Sequence, residues 1–493
     1  MEPVTCITPL LAVLVSLAVV PAILSSRNAN VREGWTFAAA LAKFGLVLSM
    51  LPAVLDGKEL VCTVAQVLPG AALAFKVDAM GMLFALVSSS LWIVTSAFSI
   101  GYMRPLKEHS QTRYFVFFAV ALSATIGVAF AANLFTLYLF YEILSFATYP
   151  LVTHHQDQEA RVSGRKYLFY IVGASIGLAL PAMLVIYDLT GTLEFSRQGV
   201  FAAAGNPAVS VTAVTVLLFM LVFGFAKAGI MPMHSWLPAA MVAPTPVSAL
   251  LHAVAVVKVG AFSIFRVVTY VFGVEMLKTL HLGTVLGVVA SVTIITASLI
   301  ALSQDGLKRR LAFSTIGQLS YIVLGAALLT PKGLVGGLTH IAMHAFGKIT
   351  LFMCAGAIFV ATGKTLVSQL HGIGRRMPVT MFAFFIGSLS IIGIPITGGF
   401  FSKWYLLQGT LESGQWGFLV VLLGSSLLNA AYFLPITYRA FFCPPERCQF
   451  EPGVQEAPMW CVVPLFFTAL VSVSLFFYPD LFRNLAQMAV GAP

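Results

Sequence analysis

The sequence predicts an all-α polytopic membrane protein with about 14 transmembrane (TM) helices. Of its 493 residues, 59% are hydrophobic and only 9% are charged, and the mean hydropathy is +0.94. Apolar stretches of about 18 residues or more, long enough to cross a bilayer as a helix, recur along nearly the whole chain. No stretch is left over that is long and polar enough to form a soluble domain.

Hydropathy places the individual spans in order along the chain. The first is expected to remain as a helix, because Met1-Glu2-Pro3 lacks the positively charged region of a cleavable signal peptide. The predicted spans lie near 4–25, 34–55, 79–101, 113–131, 133–153, 166–189, 209–230, 244–271, 280–303, 310–329, 333–361, 379–411, 415–442 and 458–479.

Basic residues predict the orientation of these spans. Of the 28 Lys and Arg residues, 16 fall in connections that follow odd-numbered spans and six fall in the other connections. Because cytoplasmic loops are enriched in Lys and Arg, both termini are expected on the non-cytoplasmic side. The net charge of +10 is therefore interpreted as topology and contact with anionic membrane lipids, and nucleic-acid binding is not expected.

Six basic residues remain inside the spans, accompanied near a span centre by a single acid, Glu142. The six are Lys43, Lys227, Lys258, Arg266, Lys348 and Lys403. A charge in the bilayer costs roughly 2.5 to 3.5 kcal/mol, so such residues indicate a functional site by default. Lysine suits proton transfer because desolvation readily lowers its pKa. Lys43 and Arg266 lie nearer the ends of their spans and are predicted to snorkel or to cap helices.

Two spans carry signals of an interrupted helix. The first, within 227–252, contains Pro232 and Pro246, and the second, within 393–404, contains Pro395, Gly398 and Gly399. Transporters place non-helical backbone at membrane depth beside their ion sites, in corresponding positions of two halves. The two breaks are about five spans apart, which is compatible with two five-helix repeats, spans 4–8 and 9–13, of inverted topology.

Histidines extend the row of buried lysines. His340, His344 and Lys348 stand at i, i+4 and i+8, which puts them along one helical face about 6 Å apart, as in a proton wire. His252 and Lys258 are six residues apart and need a water or a distorted turn to communicate. His154 and His155 are expected to be solvated in a charged loop.

Each of these residues taken singly has a structural alternative. Glu142 and Lys227 are compatible with a structural ion pair, and His252 with a hydrogen-bonded packing residue. Lys348 and Lys403 are compatible with partners of the backbone carbonyls that a helix break exposes. The row as a whole favours an ion path over these separate explanations.

No cofactor, metal site or catalytic centre is predicted. The six cysteines contain no CxxC pair, and Cys443 with Cys448 is expected to be reduced. The sequence has no P-loop, dinucleotide fingerprint or nucleophile elbow. Redox or hydrolytic chemistry is therefore not expected in this chain itself, although it could serve an oxidoreductase or translocase complex.

Four long stretches resemble the proton-translocating antiporter family, the antiporter-like chains of complex I, membrane-bound hydrogenases and Mrp-type cation/proton antiporters. They are GFAKAGIMPMHSWLPAAMVAPTPVSALLHAVAVVKVGAF, QDGLKRRLAFSTIGQLSY, THIAMHAFGKITLF and GIPITGGFFSKW. The resemblance implies two inverted five-helix repeats, broken helices 7 and 12, and a hydrated axis along the membrane. It divides the chain into 1–111, the repeats 112–272 and 279–443, and a C-terminal TM helix 14 in 457–493.

The resemblance also assigns roles to the row. It implies that Glu142 pairs with Lys227 of broken helix 7, that His252 is a gating histidine and that Lys258 is the central lysine. It implies that the axis continues through helix 11 and ends at Lys403, where some family members have glutamate. The helix 11 residues are His340, His344 and Lys348, and the loop residues given a structural role are Asp305, Lys308 and Arg309.

The resulting hypothesis is a proton-translocating subunit of a multisubunit complex in a bacterial inner membrane. The D-type chain of an Mrp-type antiporter is the first candidate, which leaves sodium exchange open, and a chain M type component of complex I or a hydrogenase-linked chain is the alternative. The expected partners are other small hydrophobic subunits. Two further alternatives are a stand-alone carrier for a small anion and a purely structural membrane spacer.

Overall fold

The computed structural model describes residues 2–205, 209–443 and 453–491, and these are mostly helical. Arg447, which was counted in the orientation argument, and Cys448, the predicted companion of Cys443, lie outside the described residues. In the first part of the chain the α-helices are α1 (Thr8–Ala18), α2 (Val20–Ser25), α3 (Ala29–Leu55), α4 (Ala79–Met103), α5 (Gln111–Ala129), α6 (Leu134–Val152), α7 (Gln158–Ala174), α8 (Leu180–Thr190), α9 (Val200–Ala203), α10 (Val211–Gly224), α11 (Trp236–Ala239), α12 (Thr245–Ala249) and α13 (Val256–Arg266).

The second part of the chain is also helical. Its α-helices are α14 (Val274–Thr279), α15 (Leu282–Ser303), α16 (Leu307–Ala327), α17 (Pro331–Thr362), α18 (Ile373–Arg376), α19 (Pro378–Ile392), α20 (Gly398–Glu412), α21 (Trp416–Phe442), α22 (Met459–Phe477) and α23 (Asp480–Val490). Short π-helical segments at Ser175–Ala179, Leu250–Val254 and Val267–Phe272 widen the helices that contain them.

The predicted membrane class is confirmed by the helices. Within the described ranges, 11 helical stretches are long and apolar enough to cross a membrane. The remaining predicted spans coincide with α10, with α16 and with the pair α19 and α20, which are shorter, interrupted or charged at one end. The internal repeats and the four-part division of the chain stay predictions.

A small sheet departs from the all-α prediction. Strands β1 (Glu2–Thr5), β2 (Lys58–Leu68) and β3 (Ala71–Val77) form it, with β1 parallel and β3 antiparallel to β2. The turn between β2 and β3 uses Gly70, whose φ of +71° suits glycine. β2 is rich in β-branched residues and follows α3 directly, so the sheet forms at a helix end instead of extending a span.

The interior of the bundle is formed by α4, α13, α16 and α17, whose side chains are almost all buried. α21 and α22 instead leave large apolar side chains exposed along one side, as lipid-facing helices do. After α22 the chain adds α23, an amphipathic helix that packs against α4 and α17. The region predicted as TM helix 14 therefore contains one span and one shorter helix.

Candidate functional site

The first helix interruption presents Lys227 inside the protein. α10 ends at Gly224, a single 3₁₀ turn at Ala226–Ala228 follows, and Gly229 reverses the backbone with a φ of +69°. Pro232 lies in the irregular segment that follows, as predicted for a break. Pro246 has a different place: it is near the N-terminus of α12, where proline is tolerated, so it starts a helix and does not interrupt one.

The second interruption separates α19 from α20. α19 ends at Ile392, Gly393 adopts a φ of +86°, and Pro395 lies in the connecting turn. Gly398 and Gly399 begin α20 and are needed for close packing, because a Cβ on Gly399 would collide with the backbone of α19. The break therefore depends on the turn. Gly399 allows α20 to approach α19, and Gly398 allows it to approach Met343 of α17 and Leu475 of α22.

The ammonium group of Lys227 is held by helix α6. It donates hydrogen bonds to the carbonyl oxygen of Tyr141 at 2.8 Å and to the hydroxyl of Ser145 at 2.6 Å. It also lies 3.1 Å from the centroid of the Tyr141 ring, in a cation–π contact. These partners are uncharged, and Lys227 is fully buried.

Glu142 does not form the expected ion pair with Lys227 in this structure. Tyr141 and Ser145 are one helical turn apart and share the face of α6 that meets Lys227, whereas Glu142 is rotated by about 100° from Tyr141. Within the described part of the chain, neither carboxylate oxygen of Glu142 has a hydrogen-bond partner, although both are buried. The expectation of direct pairing is therefore wrong for this conformation.

His252 lies where the helix before α13 is distorted. The π-helical segment Leu250–Val254 contains it, and Ala255 then departs from helical geometry with φ −115° and ψ −79°. Its ring packs against Phe352 with centroids 4.8 Å apart. A distorted turn, one of the two alternatives expected for communication between His252 and Lys258, is therefore present.

Four residues form a connected path through the centre of the bundle. The Lys258 ammonium meets Nδ1 of His344 in a short contact, and the rings of His344 and His340 stack with centroids 5.7 Å apart. Nδ1 of His340 then lies 2.8 Å from the hydroxyl of Ser402 on α20. All four side chains are buried, so the path crosses from α13 through α17 to α20 without reaching the surface.

Lys403 follows Ser402 and closes the path at the second helix break. Its ammonium group donates to the carbonyl oxygens of Ile391 and Ile392, at 2.8 and 3.0 Å, which α19 leaves free at its C-terminal end. Tyr321 lies between Lys403, 4.8 Å from the ring centroid, and His340, whose ring stacks on it at 5.5 Å.

Lys348 occupies a side branch of this path. It stands one helical turn beyond His344 on α17 and donates to the hydroxyl of Ser314 on α16 at 2.8 Å. The structure therefore brings Lys258, His344, His340 and Lys403 together through direct or stacked contacts. Within the described residues no direct contact links Lys227 to Lys258 or Lys348 to Lys403.

Lys43 and Arg266 do not snorkel, contrary to the prediction. Arg266 is 1% exposed, and its guanidinium makes a two-point ion pair with Asp78, including an Nη2 to Oδ1 distance of 2.7 Å. Lys43 is also fully buried and donates to the carbonyl oxygen of Leu122. Both positions are covered by neighbouring helices, so neither side chain can reach a membrane surface.

The loop before α16 has the local contacts expected of a structural element. Asp305 accepts hydrogen bonds from the backbone N–H and the hydroxyl of Ser368, at 2.9 and 2.7 Å. Lys308 donates to the carbonyl oxygen of Ala243 at 2.6 Å. These bonds tie the start of α16 to the segment before α12, and the loop to the connection after α17.

Hydroxyl groups are the part of the site that the sequence did not single out. Tyr141, Ser145, Ser314, Tyr321 and Ser402 touch or stack on members of the row. Serine and tyrosine are common in membrane helices, so only their helical spacing from a buried base, as for Ser402 beside Lys403, could have indicated them.

The fold defines a polytopic helical membrane protein with a row of buried bases in its interior. Residues 131–429 match the family described as NADH:quinone oxidoreductase/Mrp antiporter, TM. The chain belongs to the NADH:quinone oxidoreductase/Mrp antiporter family, which confirms the resemblance seen in the sequence.

The similar proteins include a respiratory relative and two solved structures of similar fold. The chain is 35% identical over 405 residues to NADH-quinone oxidoreductase subunit N of Desulforudis audaxviator, which covers 79% of each chain. It superposes on a chain of the archaeal membrane-bound sulfane sulfur reductase with a TM-score of 0.86, at 24% identity over 98% of this chain and 96% of that one. A chain of the Mrp complex from Dietzia gives a TM-score of 0.82, at 24% identity over 98% and 95%.

Proposed function

We propose that this chain conducts protons across the membrane as a subunit of a larger complex. The observation that carries the proposal is the buried path Lys258, His344, His340, Ser402 and Lys403, in which each base meets another base, a hydroxyl or a carbonyl. Such groups exchange protons, whereas a structural cation is normally neutralised by a carboxylate.

The path determines the order of transfer. Lys258 passes a proton to Nδ1 of His344, the imidazole releases a proton from its other nitrogen, and His340 delivers one towards Ser402 and Lys403. Because the two rings are stacked, transfer between them requires a ring rotation or an intervening water. Lys348, one helical turn beyond His344 on α17, acts as a second acceptor from His344 through an intervening water.

Lys227, at the first helix break, supplies protons to this path. α13 packs against the turn that carries Lys227, so the two lysines belong to neighbouring backbone segments. Glu142 controls this step: when its carboxylate reaches Lys227 the ammonium form is favoured, and when Lys227 turns to Tyr141 and Ser145, as here, the proton is passed on. His252 lies beside this transfer at the distorted turn.

The test is proton flux in vesicles containing the assembled complex. Lys227→Ala and Lys258→Ala are each expected to lower flux at least about tenfold, since each removes a protonatable group from a single path. Lys43→Ala is the matched control, because Lys43 is an equally buried lysine outside the row. Full flux in both Lys227→Ala and Lys258→Ala would falsify the proposal.

The complex itself has two candidates. An Mrp-type antiporter would use an ion gradient and exchange sodium for protons. A redox-driven complex is the second candidate, favoured by the 35% identity to a subunit of an NADH-quinone oxidoreductase. Mass spectrometry of the purified native complex separates them: small hydrophobic antiporter chains without redox subunits support the first, and iron–sulfur or nickel–iron subunits support the second.

The chain alone is not expected to transport. A stand-alone anion carrier would move bicarbonate or carboxylates when reconstituted without partners, and a structural spacer would leave proton flux unchanged when its buried bases are removed. In cells we place the chain in a bacterial inner membrane with both termini on the non-cytoplasmic side. Reporter fusions at each terminus test that orientation.

A further inference from the structure

A second group of ionisable side chains lies outside the row, where the loop after α4 meets the loop after α6. Glu108, His109 and His154 offer ligand atoms that all lie within 4.8 Å of one another. The His109 and His154 ring centroids are 4.8 Å apart, and His154 Nε2 lies 3.7 Å from the Glu108 carboxylate. His155 reaches the other carboxylate oxygen at 3.5 Å.

His154 was expected to be solvated, but it is buried, which is the observation that points to a ligand. Its residue exposure is 0%, and neither ring nitrogen hydrogen-bonds to any described residue. A buried polar group without a partner is costly, so a packed histidine normally bonds through at least one nitrogen.

The chemistry of this group selects a metal class. Two imidazoles and one carboxylate are typical ligands of zinc, whereas calcium and magnesium prefer oxygen ligands only. Zinc commonly uses three protein ligands and a fourth from water, and His155 lies beside this group with its Nε2 3.5 Å from the Glu108 carboxylate. Glu108 and His109 belong to a loop with partly exposed side chains, which can close the remaining distance.

We propose that Glu108, His109 and His154 bind a divalent transition metal ion of the zinc type that ties the two loops together. The site adjoins a cavity of about 720 Å³ that Glu108 and His155 line together with Lys308 and with Thr245 of α12. α12 leads directly into the π-helical segment with His252. We take this cavity as the entrance for protons to the row, a consequence that rests on the proposed function. A dication bound beside it would oppose the passage of protons.

The binding test uses the assembled complex without a histidine tag. Cobalt(II), which mimics zinc and gives visible absorption when tetrahedrally bound, is titrated and then displaced by zinc, with the affinities measured by calorimetry. His109→Ala and Glu108→Gln are expected to weaken zinc binding at least about tenfold, as loss of a ligand does. His281→Ala is the matched control, since His281 is an exposed histidine elsewhere in the chain.

The variants are chosen to keep the fold intact, because His109 is exposed and Glu108→Gln conserves shape. Size-exclusion profiles equal to wild type confirm this. Absence of zinc binding in the wild-type complex, or equal binding in wild type and His109→Ala, overturns the site.

The effect on flux is measured separately. Zinc is expected to slow proton flux in wild type and in His281→Ala, and to have a clearly weaker effect in His109→Ala. Binding without an effect on flux retains the metal site but overturns its role at the entrance. A metal-free wild-type complex that conducts no protons instead contradicts the proposed function, and the spectroscopic result is independent of that outcome.

Discussion

Helix α13 carries two buried cations that are stabilised in opposite ways. Lys258, near its start, meets the imidazole of His344, and Arg266, at its end, meets the carboxylate of Asp78. Both side chains are almost fully buried, so burial alone does not distinguish them. They differ in the chemistry of their partners, one a base and the other a carboxylate.

The start and the end of α13 therefore have different roles. Asp78 accepts hydrogen bonds from Nη1 and Nη2 of Arg266, and it also caps α4 by accepting from the backbone N–H of Gly81 at 2.8 Å. Arginine does not lose its proton in proteins, so the end of α13 is held by a permanent ion pair. A lysine and a histidine in contact can exchange a proton, so the start of the helix belongs to the path. Under the proposed function, Lys258 belongs to the proton path because its partner is a base, whereas Arg266 does not because its partner is a carboxylate.

The largest expected effect comes from breaking the ion pair between Asp78 and Arg266. Asp78→Asn leaves the Arg266 charge buried without a counterion, which typically costs about 3 to 5 kcal/mol. Thermal unfolding followed by fluorescence-detected size exclusion should show a much lower midpoint or loss of folded protein. Asp78→Asn combined with Arg266→Gln should recover part of the loss, and a stable single variant would show that the pair is not structural.

The next prediction concerns the other end of α13. Lys258→Arg keeps the positive charge but removes the ability to release a proton, so flux should fall at least about tenfold while the folded yield is retained. Proton flux in vesicles with the assembled complex measures this. Lys332→Arg, at an exposed position, should leave flux unchanged. Normal flux in Lys258→Arg would mean that this position needs only a charge.

A smaller effect is expected where the path enters α20. Ser402→Ala removes the hydroxyl beside Nδ1 of His340, a neutral hydrogen bond worth about 1 kcal/mol. Flux should fall about fivefold, since about 1.4 kcal/mol corresponds to a factor of ten. Ser413→Ala, near the end of the same helix, is the control. A drop as large as that of Lys258→Arg would give Ser402 a direct part in proton transfer.

The smallest effect is a pH dependence of the loop contact between His155 and Glu108. The hydrogen bond raises the pKa of His155 above 6.5 and lowers that of Glu108 below 4.5. The contact should stabilise fully between about pH 4.5 and about pH 6.5, and should weaken as the pH rises through the raised pKa of His155 or falls through the lowered pKa of Glu108.

Because His155 is about one-third exposed, the contribution should be only a few tenths of a kcal/mol. This contribution is obtained from the unfolding midpoints of metal-free wild type and His155→Ala, compared at about pH 6 and at about pH 8. A larger difference at the higher pH would contradict the assignment.

The sequence was sufficient for the membrane class, the two helix breaks and the burial of the bases, because a charge inside an apolar run is rare and easily seen. It could not show which bases touch. Arg266 was misassigned because Asp78 lies 188 positions away along the chain. Glu142 was paired by resemblance, whereas the direction of its side chain depends on the rotation of α6. The hydroxyl partners were missed because serine carries no comparable signal.

Gly260 on α13 determines what kind of movement the protein can use. A side chain at this position would collide with the backbone of Lys227 and Ala228, so α13 and the first helix break lie backbone against backbone. Carriers that expose a site alternately to the two sides of the membrane rock one half of the protein against the other. Here such rocking would have to separate two backbone segments that are in direct contact, with no side chain between them. We therefore expect a stationary frame in which only side chains and water molecules move.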